Sequence, residues 1–196
     1  MALPLEIDLR ALETYSRYAE GIPDDFPPNH VLVLEGFRQS LESKQCNEPY
    51  EMIISQCLGI MKVKTKHGWD GVNSLENPTE VYEYKPSSKK LSPSGTINDD
   101  SIAKIEKCEK LEEEGKKGWM ILAGIDKEKY TLDCIYKFPL QIYTEDRKKY
   151  LMSLMEKNKK KEEQTRSTYN IGVRKSIKLC EQFNQEYYVW KRSDIV

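Results

Sequence analysis

Residues 119–125 read Trp-Met-Ile-Leu-Ala-Gly-Ile, an almost unbroken apolar run with the length of a β-strand. A strand that is apolar on both faces is typical of the middle of a sheet, where each face is covered by another layer. The polar residues 126–129 predict a turn, and residues 130–136 then alternate between the two faces. The two segments therefore predict a hairpin at the centre of a sheet.

Helical patterns surround this hairpin. Residues 101–114 carry apolar side chains at Ile102, Ile105 and Leu111, the spacing of one helix face. Further helices are predicted at residues 8–20, 30–44, 49–58, 145–165 and 172–184, and further strands at residues 60–65, 68–73, 80–85 and 187–191. This order predicts an α/β fold with a central mixed β-sheet flanked by α-helices, in a single domain over residues 1–196.

The composition excludes several classes of protein. Hydrophobic residues make up 38% of the chain and charged residues 32%, and no run of about 18 apolar residues is present to cross a membrane. The N-terminal residues lack the basic and apolar regions of a signal peptide, so a cytoplasmic protein is expected. Five cysteines without a Cys-x-x-Cys pair predict reduced, mostly buried thiols, and the presence of only two histidines argues against a zinc site.

The C-terminal quarter is basic although the net charge of the whole chain is −1. Residues 147–196 carry 13 Lys or Arg against 6 Asp or Glu. A basic surface attracts polyanions such as DNA, and a solvated, lysine-rich helix is the alternative interpretation. We interpret residues 144–196 as a basic helical region for DNA contact or for dimerisation.

Asp70, Glu83 and Lys85 form the candidate functional site. Because side chains alternate along a strand, Glu83 and Lys85 point to the same face of the strand predicted at residues 80–85. A second short strand at residues 68–73 would bring Asp70 beside them. Carboxylates hold Mg²⁺, and a lysine beside the metal helps to orient or deprotonate a water, which is the chemistry of phosphodiester hydrolysis.

Two alternatives stay open at this point. Glu83 and Lys85 also suit a solvated strand face with cross-strand ion pairs. Glu76 and Glu80 are competing carboxylates for the position given to Asp70, so the register that pairs Asp70 with that face stays open.

The pattern Asp70, then Glu83-x-Lys85, resembles the PD-(D/E)xK motif of the restriction-endonuclease-like nucleases. The predicted order is similar too: an N-terminal helix, a strand with the aspartate, a strand with Glu-x-Lys, then a helix and a buried strand. This resemblance covers residues 50–136, which would form the catalytic core. Trp69 stands where the family motif has proline, so the motif is matched in part.

The resemblance implies a role for each side chain. Asp70 and Glu83 would hold Mg²⁺, and Lys85 would lie by the attacking water and the scissile phosphate. Glu51, on the preceding helix, matches more loosely an acidic position that some members use as a further metal ligand or as a partner for a lysine.

The activity implied by the resemblance is that of a Mg²⁺-dependent endodeoxyribonuclease, most like a small type II restriction endonuclease acting on double-stranded DNA. A homodimer is expected, because a two-fold axis in the protein matches a palindromic site. The predicted DNA contacts are Ser87, Ser88, Lys89, Lys90, Asn98, Asp99, Lys159, Lys160, Lys161, Arg166, Arg174 and Lys175.

Other interpretations of these positions are kept. The segment 87–90 also suits a mobile loop, and Asn98, Asp99 and Asp100 also suit the N-terminal cap of the following helix. The second hypothesis for the whole chain is a non-catalytic nucleic-acid-binding or assembly module that uses the basic C-terminal helices.

Overall fold

The computed structural model describes residues 1–20, 39, 47–63, 68–128, 131–158 and 165–192. Nine strands and five α-helices lie in this part of the chain. The strands are β1 (Ala2–Pro4), β2 (Met61–Lys62), β3 (Gly71–Val72), β4 (Glu80–Ser87), β5 (Ser94–Asp100), β6 (Lys117–Asp126), β7 (Thr131–Pro139), β8 (Ser167–Gly172) and β9 (Tyr187–Lys191). The helices are α1 (Leu9–Glu20), α2 (Glu48–Cys57), α3 (Ile102–Glu113), α4 (Thr144–Asn158) and α5 (Val173–Gln182), and a 3₁₀ turn (Leu140–Tyr143) precedes α4.

Seven of these strands form one mixed sheet in the order β1-β9-β7-β6-β4-β3-β2. The apolar run predicted as a central strand is β6, which pairs antiparallel with β7 and parallel with β4. A parallel neighbour requires a crossover, and α3 is the helix in that connection. The chain is therefore an α/β protein with a central mixed sheet, as the order of the predicted elements indicates.

The two faces of the sheet are covered by different elements. On one face, α1 and α2 pack on a core that includes Tyr50, Ile53, Tyr84 and Ile121. On the other face, α3, α5 and β8 pack on a second core that includes Met120, Leu122 and Phe138 of the hairpin. Because β6 contributes to both cores, its side chains are buried on both sides.

A two-stranded ribbon, β5 with β8, lies outside the main sheet. The polar residues around 94–100 predicted a loop leading to a helix, and β8 was not predicted. Each of these strands hydrogen-bonds to the other and packs only one face against the protein. Few of their residues therefore need to be apolar. Ser101, rather than Asn98, Asp99 or Asp100, caps α3 by accepting a hydrogen bond from the backbone N–H of Lys104.

The C-terminal region also differs from its prediction. Residues 144–196 were expected to be helical apart from a short strand near the end, yet they contain both β8 and β9 beside α4 and α5. The helix predicted over residues 145–165 is α4, which ends at Asn158 within the described part. Most of the helix predicted over residues 30–44 lies outside the described residues.

Two expectations from composition have structural counterparts. Cys57, Cys108, Cys134 and Cys180 are buried and free, as predicted, while Cys46 lies outside the described residues. None of the helices in the described part combines the length and apolarity needed to cross a membrane.

Gly124 occupies the tightest position in the sheet. A Cβ atom built there would lie 1.9 Å from the backbone oxygen of Lys90, an atom that also accepts a hydrogen bond from the Cys134 thiol. We expect Gly124→Ala to lower the free energy of unfolding by about 1–3 kcal/mol, since backbone must move to make room. Urea denaturation measures this, and Gly172→Ala is the matched control, because its Cβ would meet its nearest neighbour at 3.4 Å. Equal stability of the two variants would contradict this packing.

Candidate functional site

The alternation of β4 places the candidate charges as predicted. Glu83 and Lys85 lie on the same face of the strand, and Lys85 Nζ donates to Glu83 Oε1 at 2.5 Å. Both side chains are partly exposed, by 25% and 20%. Tyr82 and Tyr84 point to the other face and belong to the core under α1 and α2. Over residues 82–85 the strand thus has one aromatic face and one charged face.

Asp70 is held beside β4 by backbone hydrogen bonds just before β3. Its N–H donates to the carbonyl oxygen of Tyr82 at 2.9 Å, and its own carbonyl accepts from the N–H of Val63 at 2.9 Å. Its side chain turns back to the same strand, where Oδ2 accepts the N–H of Tyr84 at 2.7 Å. The carboxylate of Asp70 is therefore fixed at the backbone between Glu83 and Lys85.

The electrostatics of Asp70 reflect this position. Burial raises the pKa of the carboxyl above its usual range, and the nearby charge of Glu83 raises the pKa further. The N–H of Tyr84 and the ammonium groups of Lys85 and Lys62 oppose that rise. Asp70 and Glu83 are thus two carboxylates close enough to interact, and a lysine is bound to one of them.

The alternation also separates Asp70 from its competitors. Glu80 lies on the opposite face from Glu83, where it accepts a hydrogen bond from the hydroxyl of Tyr82 and lies 3.8 Å from Lys137. Glu76 is exposed in the loop between β3 and β4. Asp70 is thus the one of these three carboxylates that the structure brings next to Glu83.

Glu51 engages a lysine instead of joining a carboxylate cluster. Its Oε2 accepts from Lys62 Nζ at 2.5 Å, which corresponds to the second of the two roles predicted for this position. Within the ranges described, no group of three or more His, Cys, Asp or Glu side chains converges on one point. The candidate site consists of two carboxylates, Asp70 and Glu83, with Lys85.

Protein-family models, curated proteins and solved structures offer no match to this chain.

A cavity of about 340 Å³ opens on the charged face of β4. Glu83 and Lys85 line one side of it, α3 lines another, and β5 contributes Asn98. Arg147 lines it as well, buried and bound by Asp100 through two hydrogen bonds of 2.6 and 2.9 Å. This cavity is where a ligand would meet the candidate site.

β5 crosses directly over Lys85. A Cβ atom at Gly95 would lie 2.7 Å from the Cβ of Lys85, so the strand approaches as closely as it does because residue 95 is glycine. The ribbon therefore packs against the stem of Lys85 and restricts where its ammonium group can go.

The predicted DNA contacts of the segment after β4 divide into two kinds. Ser88 and Lys89 are exposed, and Ser87 Oγ accepts the N–H of Lys89 at 3.3 Å. Lys90 Nζ binds the buried carboxylate of Asp126 at 2.7 Å. Lys90 is therefore engaged within the protein.

The remaining predicted contacts are spread over the molecule. Asn98 lines the cavity, Arg174 is exposed, and Arg166 donates to the carbonyl of the residue before it. Lys175 binds Asp146 at 2.6 Å and lies 4.0 Å from the ring centre of Tyr169, so this lysine is also engaged. Lys159, Lys160, Lys161 and the side chain of Asp99 lie outside the described residues.

Three cationic residues near the site were not predicted. Lys104 and Lys107 follow each other at helical spacing on α3 and line the cavity, so a search for basic pairs three apart would have found them. Arg147 comes from α4, and no sequence signal connects it with Asp100, 47 positions earlier.

The raised pKa of Asp70 gives a prediction for stability. A carboxyl group whose pKa is higher in the folded state costs no stability below its unfolded pKa, and the cost grows as pH rises through the folded pKa. We expect Asp70→Asn, measured in EDTA, to melt at a higher temperature than the wild-type protein at about pH 8, and the gain to vanish towards about pH 4. Melting curves across this range measure it. A gain that grows as the pH falls would contradict the assigned direction.

Proposed function

We propose that this protein is a Mg²⁺-dependent endodeoxyribonuclease of the restriction-endonuclease-like type. The single observation that carries the proposal is the juxtaposition of Asp70 with Glu83 and Lys85, since Tyr84 N–H fixes one carboxylate beside the other. The order from α2 to β6 supports the proposal as well: a helix, three antiparallel strands of the main sheet, the ribbon strand β5, a helix and a parallel strand. The aspartate precedes the second of those strands, the Glu-x-Lys lies on the third, and the last is the buried central strand.

The donor set fits Mg²⁺. This ion binds through hard oxygen ligands and is commonly held by one or two carboxylates, with water and phosphate oxygens completing its shell. Asp70 and Glu83 provide such a pair. Burial raises the pKa of Asp70 and the charge of Glu83 raises it further, and a bound cation would offset the repulsion between the two carboxylates. When bound, Mg²⁺ would stabilise negative charge on the phosphate under attack.

The protein's own residues carry the rest of the reaction. Lys85 Nζ orients the attacking water and stays near the phosphate because Glu83 holds it. Attack by the water oxygen forms one P–O bond in line with the ester P–O bond that breaks. The attacking water gives up one proton to the solvent, and the leaving oxygen takes up one proton from the solvent. Gly95 lets the ribbon press on the stem of Lys85, which limits the positions of its ammonium group.

Double-stranded DNA is the proposed substrate, and a homodimer is the proposed assembly for a symmetric site. Lys104 and Lys107 on α3, beside the candidate site, supply cations for phosphate contacts on one side of the cavity. Among the predicted DNA contacts on the C-terminal elements, Arg174 on α5 is exposed and is therefore placed to meet DNA.

The direct test is digestion of a sequenced plasmid by the purified protein. We expect discrete cuts with Mg²⁺ and none with EDTA. Binding of DNA without cleavage by any divalent cation, over plasmids of varied sequence, would contradict the nuclease and support the binding-module hypothesis instead.

A further inference from the structure

The cavity beside Glu83 and Lys85 has the size of a site for one small ligand. Its volume of about 340 Å³ lies near the lower end of the range for small-molecule sites, about 300–1,000 Å³. A DNA duplex would pass across such an opening, whereas a single nucleotide would enter it.

The chemistry of the cavity walls is two-sided. Apolar side chains from four parts of the fold line one portion: Trp69, Ile97, Met120 and Leu140. Four cations line the remainder, against the one carboxylate of Glu83: Lys85, Lys104, Lys107 and Arg147. These walls suit a ligand with a flat apolar body and a negative charge.

The cations differ in how firmly they are held. Arg147 is 3% exposed and paired with a fully buried Asp100, so it forms a fixed part of the floor. Lys104 and Lys107 are exposed on α3 at the rim. Lys107 Nζ lies 5.7 Å from the ring centre of Trp69, which brings a cation and an aromatic surface to the same edge of the opening.

We propose that this cavity binds one unstacked nucleotide of the substrate strand, next to the phosphate that Glu83 and Lys85 face. The base lies against Trp69 and the apolar wall, and its phosphate is bound by Lys104 and Lys107. The placement of this nucleotide next to a scissile phosphate rests on the proposed function. The binding of a nucleotide by the cavity does not. A base in an intact duplex is stacked on its neighbours, so the substrate class becomes DNA with an unpaired or extruded nucleotide at the cut.

Binding of a mononucleotide tests the cavity separately from cleavage. Calorimetric titration in EDTA, on the Asp70→Asn protein, compares deoxyadenosine 5′-monophosphate with deoxyadenosine and with inorganic phosphate. We expect the nucleotide to bind about 10-fold more tightly than either fragment, because stacking and charge act together. Equal affinity for the nucleotide and for phosphate would overturn the proposal and leave a simple anion site.

Variants at the cavity edge locate the base and the phosphate. Trp69→Ala should lower nucleotide affinity about 10-fold without changing phosphate affinity, and Trp69→Phe should retain most of it. Lys107→Ala should weaken binding of both the nucleotide and phosphate. Lys116→Ala, at a partly exposed lysine paired with Glu114, should weaken neither. If both the Trp69→Phe protein and a folded Trp69→Ala protein bind the nucleotide with wild-type affinity, the placement of the base is overturned.

Cleavage of DNA duplexes of known structure is the third test. In Mg²⁺, a duplex with one unpaired nucleotide should be cut about 10-fold faster than the same duplex fully paired, because that nucleotide does not have to be unpaired and unstacked first. Equal rates would overturn the substrate class proposed here while leaving the nuclease intact. Nucleotide binding with the predicted Trp69 dependence in a protein that cuts no DNA would support the cavity and contradict the nuclease.

Discussion

Replacing Lys85 by alanine should lower the single-turnover rate of Mg²⁺-dependent DNA cleavage by about 10²- to 10⁴-fold, the usual contribution of a group that positions or activates the water. The fold should survive, because the side chain is partly exposed and its nearest partner, Glu83, also reaches solvent. DNA binding in EDTA should change little, since Lys85 is one cation among several at the cavity.

The chain offers a matched control for this variant. Lys148 binds Glu109 at 2.6 Å on the surface between α3 and α4, an ion pair of similar length to that of Lys85 and Glu83. Lys148→Ala should cut DNA at the wild-type rate. Equal rates for Lys85→Ala and Lys148→Ala would remove Lys85 from the proposed mechanism.

The largest effect on stability is expected at Arg147. Its side chain is 3% exposed, and its guanidinium donates hydrogen bonds to both oxygens of the fully buried carboxylate of Asp100. Arg147→Ala should lower the free energy of unfolding by about 3–5 kcal/mol, because it leaves a buried carboxylate without its partner. Urea denaturation at neutral pH measures this loss.

Two further variants separate the ion pair from mere loss of volume. The double variant Asp100→Asn with Arg147→Met removes both charges and keeps most of the side-chain volume, so it should recover part of the stability. Lys148→Ala, which breaks a partly exposed pair one residue away, should cost much less stability than Arg147→Ala. A loss at Arg147→Ala no larger than at Lys148→Ala would contradict the importance of the buried pair.

The sequence predicts the parts of this fold whose patterns are local. The apolar run of β6 is hydrophobic enough to require burial on both faces, and the alternation of β7 follows from the same hairpin. The shared face of Glu83 and Lys85 follows from the period of a strand. These features depend on neighbours a few positions apart, so the sequence carries them.

Other features depend on contacts that the sequence does not encode locally. The β5–β8 ribbon joins two polar segments whose paired residues are 67 to 78 positions apart, and its strands have little apolar pattern of their own. The pairing of Asp100 with Arg147 likewise joins two distant elements. The choice of Asp70 over Glu80 required the register of β3 on β4, which brings Asp70 to the N–H of Tyr84.

The most direct measurement of the central claim is cleavage of one DNA substrate in Mg²⁺ by the Asp70→Asn and Glu83→Gln variants. Glu109→Gln is the control, since Glu109 is the carboxylate of the matched surface ion pair. If Asp70 and Glu83 hold the metal, both site variants will remain folded and lose cleavage by about 10²-fold or more, while Glu109→Gln cuts at the wild-type rate. Cleavage at the wild-type rate by either site variant would contradict the account.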